Sequence, residues 1–201
     1  MSTLLLTGFE PFLNNPINPT NDIVNALNGK KIGNYDVVGY ILPVDYASTS
    51  KKLLDYYEKE QPDAVMMLGL AQGRVNLTPE RIAINCNDGA RDNTGFTPED
   101  QPIDPDGADG YFSTLPIRQF VNVLQAEGLP AAISDTAGTY LCNNVMYTML
   151  NHLAQTNRKI PAGFVHVPAS HELALHLNSR VPSWSTADLI RGIELLINTM
   201  E

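Results

Sequence analysis

Short apolar runs closed by Gly, Pro or Asn recur along this chain, and between them lie stretches whose apolar residues fall three and four apart. Such a sequence has few ways to fold. Strands that alternate with helices, without tight hairpins, are joined by crossovers, so their sheet is largely parallel and covered on both faces. Thr3–Thr7, Tyr35–Leu42, Ala64–Leu68, Ala131–Ser134 and Gly163–Val167 read as strands. Helices are expected from Asn18-Pro19 onward, with Ile23, Val24 and Leu27 inward, and over Tyr46–Glu60, Thr114–Glu127, Tyr140–Leu153 and Thr186–Thr199. The fold class is therefore α/β. With no internal repeat and no Pro/Ser linker, residues 1–201 read as a single domain.

Two stretches depart from this rhythm. Arg81–Cys86 alternates, with Ile82, Ile84 and Cys86 on one expected apolar face, and reads as a strand or hairpin arm. Asn87–Gly110 is rich in Gly, Pro, Asp and Asn. A loop that long in a compact domain is mobile or functional. Where strands are parallel, sites gather at their carboxyl ends, so the turns at Thr7–Glu10, Gly69–Arg74 and Val167–Ser170 should converge on one edge.

Composition narrows the function. With 13 Lys+Arg against 22 Asp+Glu, the net charge of −9 disfavours a general nucleic-acid binder. No segment approaches the roughly 20 apolar residues needed to span a bilayer. Leu4-Leu5-Leu6 is too short for a secretory segment and reads as buried strand, so the expected compartment is a reducing cytoplasm. Several motifs fail on inspection. Gly69-Leu70-Ala71-Gln72-Gly73-Arg74 lacks the ending of a phosphate-cradling loop. His171 and His176 are five apart, about 140° round a helix, which does not suit zinc. Asp104-Pro105-Asp106-Gly107 begins like a calcium loop but has Leu115 where a glutamate is needed. None of these segments gives a metal or nucleotide site.

The two cysteines differ. Cys86 keeps step with Ile82 and Ile84 and reads as a small apolar filler. Cys142 follows Gly138 and Thr139; with Thr139 as N-cap it is the third residue of a helix, where the positive helix end favours a thiolate. That effect is worth about 0.3–1 kcal/mol, so a histidine is needed as well. His152 lies ten residues along the same helix, roughly 15 Å in rise, out of reach. His171 and His176 read as exposed. His166 closes the strand Gly163–Val167, where strand ends present site residues. Glu80 is a candidate to orient it, although a strand-edge glutamate is most often solvated or paired with a neighbour such as Arg81.

In order along the chain, Thr7-Gly8-Phe9-Glu10-Pro11-Phe12 with Asn18-Pro19, Gly69-Leu70-Ala71 with Gly73-Arg74 and Pro79-Glu80-Arg81, Ala137–Asn143 around Cys142, and Phe164-Val165-His166-Val167-Pro168 with Glu172 resemble the four motifs of the type I pyroglutamyl peptidases, also called pyrrolidone-carboxylate peptidases. The resemblance runs nearly the full chain. It implies an open α/β/α sandwich, often a homotetramer without metal or organic cofactor. It also implies a cysteine exopeptidase that removes an amino-terminal pyroglutamyl residue. Carried over, Cys142 is the nucleophile, His166 the general base and then acid, and Glu80 the orienting carboxylate. Phe9 and Phe12 are expected to sandwich the lactam ring, backbone groups of Leu70 and Ala71 to recognise its amide, and Arg91 to assist the oxyanion. Leu13-Asn14-Asn15 and Asn87–Gly110 depart from the family pattern. Two other readings stay open on the residues alone: a nucleoside- or phosphate-binding relative, and a binding module that retains the pocket without turnover.

Overall fold

The computed structural model describes residues 2–13, 15–177 and 180–200. Asn14, in the divergent first loop, lies outside the described residues. The elements run β1 Ser2–Phe9, α1 Pro19–Leu27, β2 Lys31–Ile32, β3 Tyr35–Leu42, α2 Thr49–Glu60, β4 Ala64–Leu70, β5 Thr78–Pro79, β6 Ile82–Ile84, β7 Gly110–Phe112, α3 Ile117–Ala126, α4 Leu141–Gln155, β8 Ala162–Val167, β9 Ala169–Ser170, α5 His171–His176, β10 Ser183–Trp184 and α6 Thr186–Asn198. One sheet of order β2-β3-β1-β4-β8-β5 carries the fold. Its inner strands β3, β1, β4 and β8 are parallel, and the edge strands β2 and β5 are antiparallel to their neighbours.

The alternation of side chains along β1 explains the layers. Leu4 and Leu6 pack with Ile23, Leu27, Phe120, Ile193 and Leu196 of α1, α3 and α6. Leu5 and Phe9 face the other way, onto Leu53, Tyr57, Val145 and Met149 of α2 and α4. β4 repeats this, with Met66 and Leu68 on the first face and Val65 and Met67 on the second. Fully burying each such side chain contributes roughly 1.5–3 kcal/mol, so both faces are committed and a one-residue slip would exchange them. The expected α/β sandwich is what the chain forms. No helix among the described residues is long and apolar enough to cross a membrane.

Local chemistry sets the element ends. Asn18 caps α1, its Oδ1 accepting from the Thr20 N–H, with Pro19 in the first turn. α2 starts at Thr49 rather than Tyr46, because Asp45 first closes a turn on Ala47 and Ser48. α3 begins after Pro116, not at Thr114. Ala131–Ser134, expected as a strand, makes only the isolated bridges Leu77↔Ala131 and Glu80↔Ser134. In Arg81–Cys86 the expected face is reversed: Ala83 is fully buried, whereas Ile84 is exposed. The reason is that β6 belongs to a separate hairpin with β7, laid against α4 rather than in the main sheet. The strand also stops at Ile84, whose N–H and C=O are both taken by the Asn143 side chain. Cys86 is thus outside the strand and half-buried.

Asn87–Gly110 carries no regular element before β7, yet it is pinned along its length. Asp92 accepts from the N–H groups of Tyr46, Thr94 and Phe96, and Asn85 bonds Ile103 and Asp104. Asn93 bonds Glu10 and the Pro11 carbonyl, so this loop is laced to the turn after β1.

Candidate active site

Three strand ends and one helix start meet at the carboxyl edge of the sheet. His166, on β8, lies in register with Gly69 on β4. Both are two residues on from positions facing α4, Phe164 and Met67, so both point to that layer. Gly69 is required there. A Cβ at this position would stand 2.8 Å from the Cys142 sulfur and 2.6 Å from the Phe164 ring. The Cys142 thiol therefore packs on the backbone of β4 at the residue in register with His166.

Cys142 is the second residue of α4, not the third. Tyr140 is the N-cap, in extended conformation, and no side chain caps the helix. Thr139 fails as the expected cap because its hydroxyl donates to the Asp88 carbonyl across the loop. Gly138, at φ +76°, makes the turn that sets this up. The first N–H groups of α4 thus have no side-chain acceptor at the position where Cys142 stands.

Glu80 is fully buried beyond the imidazole, its Oε1 2.6 Å from His166 Nδ1. The same oxygen accepts from Arg74 Nη1 at 2.7 Å. An acceptor held next to a guanidinium fixes Nδ1 as the donor and leaves Nε2 as the basic nitrogen. Burial holds the His166 imidazole below its usual value, against the opposing pull of Glu80. The neutral form, able to accept a proton, is favoured by this burial.

Burial also pushes the Cys142 thiol up to about 12, with Glu80 adding to the rise and Arg74 opposing it. The helix end does not outweigh desolvation, as its small expected size implies. Part of the residue's surface is open, but it opens into a slot too narrow to solvate an anion. That slot is lined by Phe9, Phe12, Asn18, Val44, Leu70, Tyr140, Leu141 and Cys142. It admits the centre of a water-sized sphere over about 10 Å³, room for roughly one water. The Phe12 and Tyr140 rings stand 6.0 Å apart.

The structure gathers most of the sequence candidates and redirects others. Cys142, His166, Glu80, Phe9, Phe12 and Leu70 lie at this edge. Ala71 is next to it but has its N–H committed to the Val167 carbonyl and its carbonyl to the Arg74 N–H. Arg91 is exposed, and the contact it makes is through its carbonyl, which accepts from the Tyr140 hydroxyl. Arg81 turns away to Asp135, so the partner of Glu80 is Arg74. Val44 escapes sequence reasoning; Arg74, Tyr140 and Asn18 stand within the quoted motifs but receive no part in the site there. The signal for Arg74 was its place at the end of the glycine turn, six residues before Glu80.

An α/β sandwich with a thiol at a helix start, an imidazole at the same sheet edge and a buried carboxylate bonded to that imidazole is built for nucleophilic acyl transfer, the chemistry of cysteine hydrolases. The comparisons agree and are more specific. The family model described as pyroglutamyl peptidase matches residues 2–201. The pyrrolidone-carboxylate peptidase of Oceanobacillus iheyensis is 52 % identical over 201 residues, the whole of both chains. The pyrrolidone carboxyl peptidase of Thermococcus litoralis superposes with a TM-score of 0.95 at 38 % identity, covering 100 % of this chain and 93 % of that one. Pyroglutamyl peptidase I of Bacillus amyloliquefaciens gives 0.95 at 34 % identity, covering 100 % and 97 %. The chain belongs to the pyroglutamyl peptidase family, a family of cysteine peptidases.

Proposed function

We propose that this enzyme removes amino-terminal pyroglutamyl residues with Cys142, His166 and Glu80 as its catalytic residues. The observation that carries the assignment is that His166, bonded to a buried carboxylate, lies in register with Gly69, the residue on which the Cys142 thiol packs. Nε2 of His166 takes the Cys142 proton as the sulfur attacks the pyroglutamyl carbonyl. The oxyanion is met by N–H groups at the uncapped start of α4. As the C–N bond breaks, His166 returns the proton to the departing amine. Water, deprotonated by the same nitrogen, then hydrolyses the thioester and restores the thiol. Glu80 holds Nδ1 and stabilises the transient imidazolium.

The substrate has a flat lactam and no charged amine. The slot, with room for roughly one water, has to widen to take the ring; Phe9 and Phe12 then supply its apolar faces, while the backbone of Leu70 and the remaining lone pair of the Ala71 carbonyl are offered to its amide. An ordinary charged amino terminus would lose its hydration in this slot without gaining a counter-ion. A pyroglutamyl chromogenic amide is therefore expected to be cleaved at least about 10²-fold more efficiently than the glutaminyl amide, with chelators having no effect. Comparable rates on the two amides would refute the slot as the specificity element. The homotetramer implied by the resemblance and the cytoplasmic setting expected from the sequence belong to the same proposal.

The raised thiol gives a second test. Because Cys142 is pushed to about 12, the free enzyme holds little thiolate at neutral pH, and substrate is attacked by proton transfer to His166. In a Cys86→Ala background, alkylation of Cys142 by neutral iodoacetamide should accelerate about tenfold per pH unit from 7 to 9. A rate already on its plateau at pH 7 would show a preformed thiolate–imidazolium pair instead.

A further inference from the structure

We infer that Arg74 is a positioning residue for this reaction: its guanidinium holds the Glu80 carboxylate against His166 and ties both to the segment that leads into Cys142. The inference rests on the catalytic assignment above. Arg74 Nη1 lies 2.7 Å from Glu80 Oε1 and 2.6 Å from the Thr78 hydroxyl, while Nη2 reaches the Thr136 carbonyl at 3.3 Å. Thr78 is on β5, two residues before Glu80, and Thr136 opens the turn that ends at the Tyr140 cap of α4. One planar group thus fixes the orientation of three chain segments.

The sharing of a single oxygen is the telling feature. Both Arg74 Nη1 and His166 Nδ1 bond Oε1 of a carboxylate with no exposed surface. A carboxylate sealed from water keeps its charge only when a cation and hydrogen bonds replace the lost hydration. Arg74 is the permanent cation paired with it, because neighbouring Arg81 is turned to Asp135. Among the charged and titratable groups of this cluster, Arg74, Glu80, His166 and Cys142, the guanidinium works in one direction. It opposes protonation of His166 and favours ionisation of Cys142. Both effects hold the site in its competent form.

Arg74 can also be reached from outside. Its side chain is 32 % exposed and borders a surface cavity of about 430 Å³, with Asn76, Thr78 and Ser134 among the lining residues. A small guanidinium compound therefore has a route to the gap that Arg74→Ala would leave. With a pyroglutamyl chromogenic amide, Arg74→Ala is expected to lower kcat roughly 10- to 100-fold while KM stays within about threefold. Arg74→Lys should fall between it and the parent. The acid limb of kcat/KM should move to higher pH, since a positive charge that opposes His166 protonation is gone. Added methylguanidinium should restore kcat of Arg74→Ala and leave the parent and Glu80→Gln unchanged. A folded Arg74→Ala with parental kcat would overturn the inference. So would a loss that neither lysine nor methylguanidinium relieves and that leaves the acid limb in place. Cys142→Ala and His166→Ala are measured alongside. If those two retain turnover, the catalytic assignment itself fails; if they are inactive while Arg74→Ala is unimpaired, only the role of Arg74 does.

Discussion

Cys142→Ala is expected to lower turnover of a pyroglutamyl amide by about 10⁴-fold or more, while Cys86→Ala retains it within about twofold. The difference follows from where the two thiols stand. Cys142 packs over Gly69 in the face shared with His166, at the start of α4 and at the end of the apolar slot. Cys86 lies past the end of β6, where its carbonyl accepts from Asn143 and its thiol is held up by burial and by Asp88 and Asp100. No base adjoins it in the described contacts. Removing one sulfur from Cys142 costs about 1 kcal/mol of packing, so loss of turnover with an intact thermal transition isolates chemistry from folding. Retained turnover in Cys142→Ala would remove the nucleophile, and inactivation confined to Cys86→Ala would name the other cysteine.

What the sequence discloses about this site, and what it conceals, divides along physical lines. Local signals are legible. Asn18-Pro19 starts α1, the alternation of Leu4, Leu5 and Leu6 distributes a strand between two cores, and a cysteine placed soon after Gly138 marks a helix start. Competition from distant groups is not legible. Thr139 is a good cap by type, but the Asp88 carbonyl, 51 residues away, takes its hydroxyl. Ile82 and Ile84 look like a core face, but a hairpin standing outside the main sheet presents Ala83 to the interior instead. The thiol shows the same limit in energy. A helix dipole is a local effect of less than one pKa unit, whereas the thiol pushed to about 12 by burial shares its slot with residues far away in sequence, Phe9, Val44 and Leu70 among them. Arg74 is near Glu80 in sequence, yet only the turn after β4 decides that it, and not adjacent Arg81, meets the carboxylate.

Glu80→Gln should be nearly as damaging as loss of the nucleophile, with kcat lowered roughly 10³- to 10⁴-fold and KM little changed. Glutamine fills the same volume in this fully buried position, so the expected damage is electronic and tautomeric rather than steric. With a carboxylate, His166 has one sensible arrangement: Nδ1 donates to Oε1 at 2.6 Å and Nε2 stays basic. With an amide, Arg74 continues to demand the oxygen. If that oxygen also faces Nδ1, the tautomer survives but the imidazolium formed on proton transfer has lost its counter-charge. If the amide N–H₂ faces Nδ1 instead, the proton shifts to Nε2 and no base faces the thiol. Either arrangement removes stabilisation that exists only after the proton has moved, which is why kcat falls and KM does not. The two arrangements are separated by the ¹⁵N shifts of the His166 ring, protonated at Nδ1 in the first and at Nε2 in the second. Glu80→Asp shortens the side chain by one methylene and is expected to recover part of the loss, because a carboxylate is present even though its reach is reduced. A Glu80→Gln enzyme with kcat within about fivefold of the parent would mean that His166 needs no counter-charge, and the carboxylate would then be part of the Arg74 scaffold alone.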